Sequence, residues 1–198
     1  MSEGMGARMA TQEAIAHYQI DPALSRFTIR AFATGLLSAF GHDPTIAARQ
    51  YEGEAAFVPG TLDQAYLRMR LQPGSFEVVD DVSEKDKHDI ETKMKQEVLE
   101  TSRFPEIVFE SANIQPTRMG DANYSVKITG NLTLHGATRN LTIYCQLSLN
   151  GETLHSAGEF SVRQTDFGIK PPTVAGGAMK VKDELKCSFD ITARKQGT

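Results

Sequence analysis

Apolar and polar residues alternate with a period of two along most of the chain, the pattern of strands that bury one face. Residues 26–32 set Phe27, Ile29 and Ala31 against Thr28 and Arg30, with Phe32 falling on the polar side. Residues 65–72 alternate Ala65, Leu67, Met69 and Leu71 with Tyr66, Arg68, Arg70 and Gln72. Tyr124, Val126, Ile128, Leu132 and Leu134 share one parity, opposed by Ser125, Lys127, Thr129, Asn131, Thr133 and His135. Gly130 interrupts that apolar face and predicts a bend or bulge. Leu141, Ile143, Cys145, Leu147 and Leu149 form a further inward series, and Leu185, Cys187, Phe189 and Ile191 another. With candidates at 45–50, 53–58, 75–79, 106–114 and 153–163, the expectation is about eight to ten strands.

One segment keeps a different period. From Glu84 to Thr101 the apolar residues Ile90, Met94 and Val98 recur every four positions, which predicts a single helix. Ser83 and Asp86 have capping-box spacing, Glu91 and Lys95 stand at the favourable i,i+4 spacing, and Pro105 forbids continuation. The stretch Gln164 to Met179 holds Pro171, Pro172, Gly176 and Gly177, which predicts a long irregular loop able to serve as a flap. Many antiparallel strands and one helix leave two all-β architectures, a sandwich or a closed barrel. Apolar inward faces would give a barrel of about eight strands an apolar interior, wide enough for its own side chains or one small ligand.

Composition narrows the function classes. The chain has 198 residues and a formal charge of −4, so it can bury a sizeable core without staples and offers no basic footprint for nucleic acid or an anionic membrane surface. No stretch reaches the roughly 18 apolar residues of a membrane span. Residues 1–16 carry Glu3 and Glu13 and no apolar core, so they read as a flexible tail rather than a leader, and the expected location is cytoplasmic.

No obvious catalytic set emerges. The five histidines, His17, His42, His88, His135 and His155, lack metal-site spacing with one another or with a nearby cysteine. Asp86, His88 and Asp89 in the run SEKDKHD are explained by the helix dipole and cap. His42 beside Asp43 sits in a turn before Pro44, no G-x-S-x-G surrounds a serine, and Gly176–Gly177 lacks the lysine and helix of a phosphate loop. Cys145 and Cys187 face inward as inert buried thiols, with a disulfide between neighbouring strands left open. The residues alone thus suggest a binding domain without metal.

Several segments taken in order resemble the YceI family of lipocalin-like, polyisoprenoid-binding proteins. They are HYQIDPALSRFTIRA from His17, GEAAF from Gly53, RFPEIVFES from Arg103, GNLTLHGATRNLTI from Gly130 and RQTDFGI from Arg163. The resemblance covers about residues 17–194, and implies one domain over 17–195 with tails at 1–16 and 196–198. It also implies an extended antiparallel eight-stranded lipocalin-like β-barrel with one α-helix packed on it and a long chain-like lipid in its lumen, with no enzymatic activity. The stretch GLLSAFGHD, Gly35 to Asp43, resembles a sub-pattern of part of the family and bears on one rim. Family members are often exported to the bacterial periplasm, which is the alternative location if another route exports this chain.

The expected partner is an apolar or amphipathic long-chain molecule such as an isoprenoid, quinone or fatty-chain lipid, with no cofactor beyond such a lipid; a homodimer is compatible with the pattern. The inward residues expected to line the lumen are Phe27, Ile29, Leu67, Met69, Leu71, Val126, Ile128, Leu132, Leu141, Ile143 and Phe189. Polar candidates for the mouth are His42, His135, Arg139, Arg163, Asp166 and Lys170. Two alternatives remain beside the carrier: an enzyme on a lipid-like substrate using His42, Asp43, His135 or Asp166, and an interaction module with a solidly packed barrel.

Overall fold

The computed structural model describes residues 14–34, 43–174 and 179–197. Its elements are β1 (Ala16–Ile20), β2 (Arg26–Arg30), β3 (Ala33–Thr34), β4 (Thr45–Ala48), β5 (Tyr51–Phe57), β6 (Tyr66–Leu71), β7 (Phe76–Val78), α1 (Glu84–Lys93), β8 (Ile107–Arg118), β9 (Asn123–Leu134), β10 (Ala137–Asn150), β11 (Thr153–Arg163), β12 (Thr173–Val174), β13 (Met179–Val181) and β14 (Glu184–Lys195). Hydrogen-bonded neighbours run β1–β5–β6–β8–β9–β10–β11–β14, and β14 pairs back onto β1, so eight antiparallel strands close into a barrel. The choice between sandwich and barrel is settled by that last pairing, Tyr18 with Lys195 and Ile20 with Ala193.

Three ring strands are bent. β1 continues into β2 across the 3-10 turn Pro22–Leu24, β4 continues into β5 across residues 49–50, and β6 continues into β7 across the 3-10 turn Pro73–Ser75. A proline has no N–H to offer a ladder, so Pro22 and Pro73 sit where the ladder is interrupted. The halves β2, β4 and β7 form their own run off β14. This leaves β7 with no second strand neighbour among the described residues, and α1 packs there: the Val78 N–H donates to Glu91 Oε1 at 2.9 Å.

The α-helix α1 is shorter than the expected 84–101. It is α-helical to Lys93 and continues as a π-turn, Met94–Val98, in which the Leu99 N–H donates to Met94 O at 2.9 Å. The extra residue per turn lets both Val98 and Leu99 reach the cavity that Ile90 and Met94 also line. Ser83 caps the N-terminus, accepting from the Asp86 N–H at 3.1 Å.

One end of the barrel is floored. There Leu62 is buried, the Tyr18 and Phe57 rings stack at 4.9 Å, and the Tyr124 hydroxyl donates to Gly60 O at 3.3 Å. The opposite end carries α1, the hairpin turn His135–Gly136 and a small sheet. That sheet corrects the expected irregular loop. Residues 164–167 form a 3-10 turn, and β12 and β13 pair in the order β12–β13–β3; residues 175–178, with Gly176 and Gly177, lie outside the described residues, as do residues 35–42 of the GLLSAFGHD stretch. Phe32, out of phase in the alternation, lies against Arg30 and Lys182, whose cationic ends stand 5.5 and 5.7 Å from its ring centre.

Gly130 marks an irregularity in its partner strand: the register of β8 against β9 shifts between Ser111 and Asn113, where Ser111 faces Gly130. A Cβ on Gly130 would stand 2.4 Å from Glu110 O. The disulfide left open by the alternation does not form. Cys145 pairs with Gly158 and Cys187 with Phe160, so β11 lies between the two free thiols. Two strand spacings come to about 9.5 Å, beyond the Cα reach of a bridge.

Candidate functional site

Alternation places one face of every ring strand inside the barrel, and the inside is not filled. A cavity of about 810 Å³ runs through it, within the size range of small-molecule sites. Phe27, Ile29, Leu67, Met69, Leu71, Val126, Ile128, Leu132, Leu141, Ile143 and Phe189 all line this one cavity. They come from β2, β6, β9, β10 and β14, brought together by the closure of the ring. The helix contributes Ile90 and Met94, and β8 and β11 contribute Ile107, Phe109, Phe160 and Val162. Those helix residues were legible only as a packing stripe, because nothing local says what such a stripe packs against.

The polar residues expected at the mouth do not turn into the cavity. His135 turns to Glu100, with its Nε2 sharing a hydrogen bond of 2.7 Å, and its ring lies tilted at 52° against Phe104, centre to centre 4.4 Å. The geometry follows from the hairpin turn, where His135 at φ 50° and Gly136 at φ 74° make the two-residue left-handed corner that a twisted hairpin prefers. Arg139 is exposed and donates to Thr138 O at 2.9 Å. Arg163 is exposed and paired with Asp183, Nε to Oδ2 3.1 Å, and Asp166 and Lys170 face outward. None of these five is on the cavity lining, and His42 lies outside the described residues.

A different polar set borders the cavity: Ser156 and Gln164 from β11 and its end, and Lys93 with the exposed Asp86 and Asp89 from α1. Asp86 combines two roles, since its carboxylate also accepts from the Ser83 hydroxyl at 2.6 Å in the helix cap. Gln164 sits at the end of β11 with the inward parity of Leu154, Phe160 and Val162, and that parity was the available signal for it. Its position is held from outside. The Asp183 carboxylate accepts from the Thr165 N–H at 2.8 Å and hydroxyl at 2.7 Å, and these bonds, with Arg163, keep Asp183 below the usual carboxylate range. The turn then ends at Gly168, whose φ of 72° suits a residue without a Cβ.

The two thiols on the lining are chemically quiet. Burial pushes Cys187 up to about 12, and burial raises Cys145 as well, so at neutral pH both are neutral thiols rather than nucleophilic thiolates. The site is therefore an apolar lumen floored at one end and carrying a few polar groups.

Comparison with known proteins places this geometry in a family. A model of the YceI-like domain matches residues 18–193. UPF0312 proteins of Pseudomonas savastanoi pv. phaseolicola and Pseudomonas syringae pv. syringae are each 27% identical over 155 residues, which is 74% of this chain and 72% of theirs. Among solved structures, Burkholderia cenocepacia BcnA superposes with a TM-score of 0.65 at 19% identity, over 87% of this chain and 98% of that one. A polyisoprenoid-binding domain of Saccharophagus degradans gives 0.64 at 11% identity, over 90% and 98%. The Campylobacter jejuni YCEI protein gives 0.58 at 11% identity, over 77% and 85%. At these identities the superpositions speak to the fold, and the family model speaks to membership: the chain belongs to the YceI-like family.

Proposed function

We propose that this chain binds and carries a long-chain apolar or amphipathic molecule, an isoprenoid, quinone or fatty-chain lipid, in its lumen without transforming it. The observation that carries the reading is the cavity of about 810 Å³ with aliphatic and aromatic side chains on nearly every face. An empty apolar space of that size is poorly suited to water and well suited to hydrocarbon. Transfer of a chain from water contributes roughly 0.8 kcal/mol per buried methylene, so about ten buried carbons contribute about 8 kcal/mol, the scale of micromolar binding before the cost of ordering the chain is taken off, and a longer chain offsets that cost. The Saccharophagus degradans neighbour, described as polyisoprenoid-binding, supports the same ligand class.

The test begins with the protein purified under native conditions, extracted with organic solvent, and the released material identified by mass spectrometry. A stoichiometric long-chain species is expected from the parent and a strongly depleted one from folded Leu132→Glu and Ile143→Glu variants. Full retention by both variants would remove the lumen as the site.

A further inference from the structure

The barrel wall gives a ligand no passage, because its eight strands are joined in a closed ring of backbone ladders, and one end is floored. Passage is left to the other end, which α1 and the small sheet cover. The sheet is knit by main-chain bonds: β3 pairs with β13, and the Lys182 N–H donates to Phe32 O at 2.7 Å. The helix is held more lightly. Glu84 to Asp89 are exposed apart from the half-buried Lys87, and Met94 is the one buried side chain between residues 84 and 98. Among the described residues one hydrogen bond, from the Val78 N–H to Glu91, ties α1 to a strand. Elements with so little buried apolar contact open at a small fraction of the cost of global unfolding.

Beyond the π-turn the chain makes a second attachment, built from side chains on an uncommon backbone. Glu100 (φ 44°) stands just past the helical turns, where glycine is usual, and His135 (φ 50°) opens the hairpin corner, where asparagine is. Each left-handed position thus carries a residue that costs more there than glycine would. The two side chains meet: His135 Nε2 and Glu100 Oε2 share a hydrogen bond of 2.7 Å, with the His135 side chain only 15% exposed. Phe104 lies against the same corner, so close that a Cβ on Gly136 would stand 2.7 Å from its Cε1. The main-chain N–H groups of Arg103 and Phe104 donate to Glu100 O at 2.8 and 2.9 Å, curling the linker around that contact. None of Glu100, Arg103, Phe104 and His135 lines the lumen. Backbone strain held by a side-chain contact is relieved when the contact breaks, which is the arrangement of a catch.

We propose that α1 with its π-turn is the gate of the lumen, and that Glu100 and His135, clasped outside the lumen, are its latch. The proposal rests on the carrier reading and adds to it the route of loading and its control. Because the clasp touches no part of the lumen, it is made alike around an empty and a filled barrel. It therefore sets the barrier to exchange and leaves affinity alone.

The experiment uses full-length, delipidated protein and stopped-flow uptake of the neutral dye Nile red, with kon and koff taken from the dependence of the rate on protein concentration. His135→Asn and Glu100→Gly each keep a residue suited to the left-handed corner and remove one side of the clasp. Both variants should raise kon and koff together by about tenfold, the factor carried by one hydrogen bond of ordinary strength, with Kd unchanged. Hydrogen exchange without ligand supplies a second readout: amides of residues 90–99 should exchange faster in both variants, while those in the middle of β9 stay as slow as in the parent. Parent-like rates of uptake and release in both variants would overturn the latch and leave the carrier reading standing. A rise in koff alone, with a matching loss of affinity, would overturn it too, because the pair would then belong to the binding wall. A parent that takes up no dye would overturn the carrier reading and the gate with it.

Discussion

Burial holds the Cys187 thiol neutral up to about 12, whereas an exposed thiol ionises near about 8.5. The folded protein therefore keeps a proton that the unfolded chain gives up first. This group's contribution to stability is fully present below the unfolded pKa and is lost as pH rises from there through the folded one, at a rate approaching about 1.4 kcal/mol per pH unit. Tyr18 and Tyr51 are also raised by burial and act with the same sign at higher pH. Urea midpoints of the parent should accordingly fall more steeply above about pH 9 than those of Cys187→Ala, which has no proton to lose there. Parallel pH profiles for the two proteins would show that the thiol is hydrated in the fold. The inward parity of Cys187 was visible in the alternation with Leu185 and Phe189; its distance from Cys145 was not, because that depends on which strand lies between them.

At the scale of elements, α1 closes a gap that the bent strands create. β7 ends the run β14–β2–β4–β7, and an unpaired strand edge in a barrel wall would leave buried backbone donors open. Glu91 meets one of them: its Oε1 accepts from the N–H of Val78, which is 1% exposed, and its Oε2 faces Lys95 Nζ at 3.4 Å. Glu91→Ala should destabilise the fold by about 1–3 kcal/mol, the cost of an orphaned buried donor, and should raise hydrogen exchange at the Val78 amide above that of the ladder amides in β9. Exchange at Val78 as slow as in the parent would assign closure of the edge to other contacts. The i,i+4 spacing of Glu91 and Lys95 was evident in the sequence as helix support. The second role of Glu91 was not, since the strand expected at 75–79 lies more than ten residues away and nothing local says that its edge meets this helix.

At the scale of the molecule, the sequence carried the second half of the barrel more plainly than the first. Strands β8 to β11 and β14 alternate over eleven or more residues each, long enough for inward and outward faces to be told apart. The first three ring strands are each broken near Pro22, Arg49 or Pro73, so their halves read as separate short strands. The lumen wall followed from parity alone, whereas the groups that line it beside that wall depend on non-local closure: Asp86 and Asp89 through the seat of α1, Gln164 through its tie to Lys182. Closure around an empty interior also has a thermodynamic consequence. A barrel with about 810 Å³ of unfilled apolar space forgoes the packing that the same side chains would make around an occupant, so a bound chain and the folded state stabilise each other. At a free ligand concentration of about one hundred times Kd, linkage adds about 2.7 kcal/mol, which for a domain of this length raises Tm by roughly 5–11 °C. Delipidated protein should therefore melt lower than native protein by about that interval, and titration with dodecanol should restore the difference in a concentration-dependent way. A Tm indifferent to both extraction and titration would mean that the walls close on themselves in solution and that the lumen carries nothing.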